Sequence, residues 1–331
     1  MMFNIVKNLN RLSWQSLSSG RDFIFNPKTI VENCPNKLSY RTIIAASFDS
    51  QRDDEVFMSR LSGKQSGIVI LSMNRPKAAN SLSRSMVRAL NQSIYQLAKD
   101  DEIRVLIIRS AVPGVFCAGA DLKERSTMHI KEIPLFVAKL RSVSTAIADF
   151  PHPTIAAIDG AALGGGLEYA LATDIRVASL NAKMGLVETK LAIIPGAGGT
   201  QRLPRLIPIN IAKELIFTGR IIDGSQAFQY GLVNYCVAQN ETNDGAYLKA
   251  VSLAEEMLKN GPLALRWAKM AINRGSEVDI NTGLAIEGAC YAQLVNTKDR
   301  IEGLESFKEK RPPNYQGFSV LLFFSFGFSV L

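Results

Sequence analysis

The chain has 331 residues, 47% of them hydrophobic, and a formal net charge of +8. Nearly half apolar content supports a sizeable core, in one large domain or two smaller ones. Its four cysteines (Cys34, Cys117, Cys236, Cys290) show no paired short spacing, and its two histidines (His129, His152) have no serine or cysteine partner signal; neither a zinc site nor a disulfide framework is expected.

Residues 1–48 differ in composition from the rest of the chain. Up to Arg21 the segment is serine-rich, carries Lys7, Arg11 and Arg21, and has no acid. Phe3, Ile5, Val6, Leu9, Leu12 and Trp14 could line one face of a short helix. This is the composition of a mitochondrial transit peptide, cleaved somewhere between Gly20 and Phe48, and it accounts for much of the basic balance. A tail without an address is the alternative.

The folded part is expected to begin near Val56. Gly67–Met73 reads as a buried strand, ended by the proline turn Asn74–Lys77. Ser83 is a plausible helix cap before Met86, Val87, Leu90, Ile94 and Leu97, which recur at helical spacing. Ile103–Ile108 is a second strand, so the three elements form a βαβ unit. The loop Ala111–Asp121 leaves that strand at its carboxyl end, where ligands of α/β sheets gather. There Ala118, Gly119 and Ala120 are small enough to let a ligand reach the backbone. Glu132–Phe150 is helical, closed by Pro151 and Pro153.

Pro153–Thr200 is the organising stretch. A strand, Thr154–Ile158, leads through Asp159-Gly160 to the triplet Gly164-Gly165-Gly166, then to a helical pattern over Leu167–Ala172. Three consecutive glycines carry an entropic cost and need a reason. Close approach of a ligand to backbone N–H groups at a helix start is one, and it suits a developing oxyanion. A tight, closely packed strand-to-helix turn is the other. Glu168 falls inside the apolar run and Glu188 comes directly after Gly185-Leu186-Val187, settings where an unpaired carboxylate is costly. Gly196-Ala197-Gly198-Gly199 lies just beyond. Further on, Ile211–Thr218 and Ser225–Tyr230 read as short helices and Leu232–Val237 as a strand. Helices then run from Ala246, with breaks at Gly261-Pro262, Arg274-Gly275 and Asn296-Thr297. The uncharged run Phe318–Leu331 is short for a membrane helix. It reads as an atypical terminus rather than an anchor, and no membrane association is expected.

The segments VLIIRSAVPGVFCAGADLKE, IAAIDGAALGGGLEYALATDIRVAS and MGLVETKLAIIPGAGGTQRLPR resemble the enoyl-CoA hydratase/isomerase (crotonase) family, in order, over about Gly67–Gly317. The resemblance implies an α/β fold: a crotonase-type ββα superhelix (spiral) over residues 56–255 and a C-terminal helical trimerisation region over 256–317. It implies Glu168 and Glu188 as catalytic acids, Glu168 deprotonating water and Glu188 supplying a proton at Cα. Backbone N–H groups of Ala120 and Gly165 form the oxyanion hole, and Gly196 orients the acid or the water. Coenzyme A binding is implied for Arg75, Lys77, Ala78, Ala118, Ala120, Asp121, Leu122 and Lys123, although a solvated surface role is the alternative for each cation. Coenzyme A belongs to the acyl-CoA substrate, and no separate cofactor or metal is expected.

Retention of both acids implies hydratase chemistry; the leader composition implies the mitochondrial matrix, and the family resemblance implies a homotrimer or homohexamer. FCAGADLKER and RSMVRALNQSIYQLAKDDEIRVLIIRS look most like the branch that hydrates 3-methylglutaconyl-CoA in leucine breakdown. Short-chain hydratases of fatty acid β-oxidation come next. That first branch is also associated with AU-rich RNA, through a helix matching Ser83–Asp100. Here the helix holds only Arg84, Arg88 and Lys99 and is succeeded by three acids, a weak footprint for RNA.

Overall fold

The computed structural model describes residues 54–317. The expected leader, 1–48, and apolar tail, 318–331, lie outside the described residues.

Strand β1 (Val56–Arg60) pairs antiparallel with β2 (Ile68–Met73), every residue of which is buried. Helix α1 (Arg84–Leu97) starts where Ser83 Oγ accepts the Met86 N–H at 3.1 Å, and it buries Met86, Val87, Leu90, Ile94 and Leu97. Strand β3 (Val105–Ser110) then lies parallel to β2. From here the chain repeats one device. A strand in this first sheet is followed by a short strand in a second sheet, then by helix.

Thus β4 (Val115–Cys117) precedes α2 (Leu122–Ser126) and α3 (Ile133–Ala148). Next, β5 (Thr154–Ile158) pairs with β3, β6 (Ala161–Leu163) pairs with β4, and α4 (Gly165–Leu171) comes after them. Likewise β7 (Ile175–Ser179) pairs with β5 and β8 (Lys183–Gly185) with β6, before α5 (Gly199–Leu206) and α6 (Ile209–Thr218). Strand β9 (Ile222–Asp223) closes the second sheet antiparallel to β8. Helix α7 (Gly224–Gln229) then leads to β10 (Tyr235–Val237), which joins β7. The orders β1-β2-β3-β5-β7-β10 and β4-β6-β8-β9 are the expected ββα superhelix.

Period-2 alternation divides the apolar residues of the first sheet. Val69, Leu71, Leu106, Ile108, Ala156 and Ile158 face the main core. Ile68, Ile70, Val105, Ile107, Ile155 and Val177 face α8 (Gly245–Leu258), through its Ala246, Tyr247, Ala250 and Leu253. Helix α8 is fixed at its start by Asp159, which accepts the N–H groups of Ala246 at 2.7 Å and Tyr247 at 3.1 Å.

Helices α9 (Pro262–Gly275), α10 (Ile280–Ala292) and α11 (Lys298–Glu309) complete the described chain, and the breaks between them fall where the sequence places them. Lys269 ties α9 to the sheet, with Nζ 2.7 Å from Asp174 Oδ2 and 3.0 Å from His152 O. The late strand is shorter than Leu232–Val237. Leu232 and Val233 are buried in the turn after α7, with Leu232 N–H bonded to Ala227 O at 2.8 Å.

Candidate active site

Two backbone segments meet at the carboxyl ends of the short strands. The first comes after β4. Leu82 forms an isolated parallel bridge with Ala120: its N–H bonds Gly119 O at 2.7 Å and its C=O accepts from Asp121 at 3.3 Å. Both bonds use the neighbours of Ala120, so the Ala120 N–H points the other way. The second segment is the turn into α4. Gly164 adopts φ +49°, a region that disfavours side chains, and its N–H bonds Gly185 O at 2.8 Å. The Gly165 N–H lies in the first turn of α4 and has no intrahelical acceptor. At Gly166 any side chain would collide with Cys117 O, so the third glycine is required by packing. The two segments adjoin: a side-chain carbon at Gly119 would lie 3.5 Å from Gly165 N.

Glu168 and Glu188 stand beside this pair of N–H groups. Glu168, one turn into α4, is 3% exposed. Its Oε1 accepts the N–H groups of Ala197 at 2.8 Å and Gly199 at 2.7 Å, in the glycine cluster before α5. Glu188 opens a 3₁₀ turn (Glu188–Leu191) after β8. Its Oε1 approaches Gly164, where a side-chain carbon would lie 3.1 Å away. Its Oε2 is buried with no hydrogen-bond partner among the described residues.

The environments separate the two carboxyls. Burial, then the Glu168 charge, pushes the Glu188 pKa up to about 7. Burial also raises Glu168, but N–H groups of Gly199, Ala197 and Gly196 and the Arg202 charge oppose that rise by favouring its ionised form. One proton shared by this pair therefore resides on Glu188. A carboxylate base and a carboxylic acid next to two N–H donors without a partner among the described residues can move protons at adjacent carbons of a polarised acyl group.

The remaining expected residues fall into two groups. Arg75 is held by the chain itself: its guanidinium reaches Asp121 Oδ2 at 2.7 Å and Glu55 Oε1 at 2.9 Å, and it bonds Ser81 O at 3.0 Å. The Arg75 hydrogen bond is the main reason the Asp121 carboxyl lies below its usual range, and Asp121 also caps α2 through the Glu124 N–H at 3.2 Å. This network fixes the Ala118–Asp121 loop. By contrast, Lys77, Ala118, Leu122 and Lys123 are exposed, with Ala78 half-buried. The Ala118 N–H bonds Ala79 O at 3.0 Å, which brings the two stretches together.

Sequence reasoning names Gly196; its N–H is one of three backbone groups that favour the ionised Glu168, and the bonds from Ala197 and Gly199 join it, with the glycine cluster as the signal that pointed here. On α1, Arg84 is paired with Glu124 at 3.4 Å and Glu132 at 3.2 Å, which reduces an already weak basic face. Among the described residues no helix is long and apolar enough to cross a membrane.

The model of a protein family described as Enoyl-CoA hydratase/isomerase matches residues 63–318. The chain belongs to the enoyl-CoA hydratase/isomerase family. A mouse protein named methylglutaconyl-CoA hydratase, mitochondrial, is 58% identical over 271 residues, 82% of this chain and 86% of its own length. A bovine relative, enoyl-CoA hydratase domain-containing protein 2, mitochondrial, is 56% identical over 80% of this chain and 89% of its own. The crystal structure of an enoyl-CoA hydratase from Bacillus anthracis superposes with a TM-score of 0.76 at 45% identity, over 80% of this chain and 100% of that one.

Proposed function

We propose that this protein is a hydro-lyase that adds water, in syn fashion, across the 2,3 double bond of 3-methylglutaconyl-CoA. The product is 3-hydroxy-3-methylglutaryl-CoA, and the reaction belongs to leucine degradation in the mitochondrial matrix. The observation that carries the hydratase reading is the unequal carboxyl pair. Glu168 is anchored as an anion by two N–H bonds, and Glu188 has an unpartnered buried oxygen and a pKa raised to about 7. The substrate and compartment are supported by the names of the relatives.

The steps derive from that pair. Glu168 takes a proton from water as its oxygen adds to Cβ. The π electrons shift toward the thioester oxygen, which the N–H groups of Ala120 and Gly165 stabilise; each such donor lowers the barrier by about 3 kcal/mol. Glu188 delivers its proton to Cα. The pair ends with the proton on Glu168 and resets by exchange. Only water and protons are exchanged, so the thioester's own coenzyme A is the sole carrier group. Lys77 and Lys123 are exposed and, among the described residues, engaged in no ion pair, so they are the cations we assign to its phosphates.

Assembly as a homotrimer or homohexamer fits the apolar side chains left exposed on the last two helices: Ile280 (73%), Leu284 (55%), Leu304 (60%) and Phe307 (85%). The test is a hydratase assay of the full chain with 3-methylglutaconyl-CoA and crotonyl-CoA side by side. A higher kcat/KM for the first is expected. A preference for crotonyl-CoA makes the enzyme a short-chain hydratase of β-oxidation, and inactivity on both refutes the hydratase reading.

A further inference from the structure

3-Methylglutaconyl-CoA differs from a simple enoyl-CoA in one respect that matters physically. It carries a free terminal carboxylate, two bonds beyond the carbon that water attacks. A cation for that carboxylate must therefore stand beside the catalytic pair, not at the coenzyme A end of the site.

Two arginines meet that requirement, and both bond carbonyls of the turn that holds Glu168. The Gly196–Ala197 peptide is the hub. Its N–H points to Glu168 Oε1 at 2.8 Å, and its C=O accepts the Arg141 Nε–H at 3.1 Å. In a planar trans peptide these two groups point to opposite sides, so one peptide width separates Arg141 from the carboxylate. Val137, one helical turn before Arg141 on α3, lines the same place: a side-chain carbon at Gly196 would lie 2.8 Å from its Cγ1. Arg202, on α5, bonds Ala197 O at 3.1 Å, is tucked beneath Gly198, and faces the charges of Glu168 and Asp149. Its charge is already balanced from within. Arg141 is exposed, no ion pair engages it among the described residues, and both its Nη groups remain available.

We propose that Arg141 is the specificity-determining residue of this site, and that its guanidinium binds the terminal carboxylate of a dicarboxylic enoyl thioester. This rests on the substrate reading given above. With Nε fixed on Gly196 O, the paired Nη groups present a fork suited to a carboxylate. The same cation disfavours a purely apolar acyl chain, which would desolvate the charge without replacing its hydration.

The test uses the full-length protein and its Arg141→Leu and Arg141→Lys variants. Two quantities are measured: the ratio of kcat/KM for 3-methylglutaconyl-CoA over crotonyl-CoA, and the inhibition constants of glutaryl-CoA and butyryl-CoA, which differ chiefly by a terminal carboxylate. Losing a charge-assisted hydrogen bond predicts a fall in the ratio of about tenfold to a hundredfold in Arg141→Leu, with glutaryl-CoA losing its advantage as an inhibitor. Arg141→Lys regains part of both. If the wild type prefers the dicarboxylic substrate and Arg141→Leu keeps both preferences, the assignment is wrong while the function stands. Equal losses on both thioesters overturn it too, making Arg141 a strut of the 196–199 turn. A wild type that prefers crotonyl-CoA and binds butyryl-CoA as well as glutaryl-CoA overturns the substrate reading and this inference together.

Discussion

Glu188 should make the folded protein less stable than it could be, and Glu188→Gln should reveal it. The carboxyl is pushed from an ordinary 4.5 to about 7, first by burial and then by the charge of Glu168. A carboxyl whose folded pKa is raised favours the fold when protonated. That contribution is complete below the unfolded pKa of 4.5 and is lost as pH rises through the folded value of about 7. At about 1.36 kcal/mol per pH unit, the loss amounts to about 3 kcal/mol once both states are ionised. Glutamine keeps the shape of the protonated acid and cannot ionise. The variant and the wild type should therefore have similar stability at about pH 4, below the unfolded pKa, where the carboxyl is mostly protonated in both states. At about pH 8 the variant should be more stable by about 3 kcal/mol, or about 6–12 °C in melting temperature for a fold of this size. Hydratase activity should fall by orders of magnitude in the same protein, because the proton for Cα has no donor. Thermal unfolding of both proteins at the two pH values is the assay. A stability gap that does not change with pH, or a variant less stable at the higher pH, would refute the claim that Glu188 is buried at a cost.

Three further predictions rest on the same geometry. The pH profile of kcat/KM should have an alkaline limb at about pH 7, where Glu188 loses its proton, and an acid limb where Glu168 gains one; replacing Glu188 should abolish the alkaline limb, and its persistence would assign it to another group. Gly166→Ala should destabilise the fold by about 2 kcal/mol or more, read by urea unfolding, because the new methyl meets Cys117 O and not a yielding side chain. Lys269→Ala should cost about 2 kcal/mol in the same assay, since Asp174 would keep its bonds from Thr154 (2.7 Å to N, 2.9 Å to Oγ1) but lose its counter-charge. Wild-type stability in that variant would mean that α9 is held by other contacts.

The unequal carboxyl pair depends on distant parts of the chain meeting. Glu168 belongs to a helix that starts at a strained glycine, and its anchoring N–H groups come from 29 and 31 residues further on. Glu188 comes from the next turn of the spiral. A device of this kind uses backbone donors that any residue could supply, so the surrounding residues must have the right size, which is why glycine recurs at 164–166 and at 196, 198 and 199.

That division separates what the sequence determined from what only the fold decided. Strands such as Thr154–Ile158 and the α1 stripe from Met86 to Leu97 are legible because burial imposes a period of 2 or 3.6 on local sequence. The Ser83 cap and the helix breaks at Gly261-Pro262 and Asn296-Thr297 are legible for a similar reason: they act on neighbours in the chain. Glu168 and Glu188 stand out as acids in apolar surroundings, and the glycine clusters mark where backbone approaches backbone. The second sheet is not legible, because strands of two or three residues, such as Lys183–Gly185 and Ile222–Asp223, are too short to carry a period. Nor could sequence distinguish Arg75, spent on Asp121 and Glu55, from Arg141, whose Nη groups have no partner among the described residues. A cation's availability depends on which charges the fold brings within reach, and those lie tens of residues away along the chain.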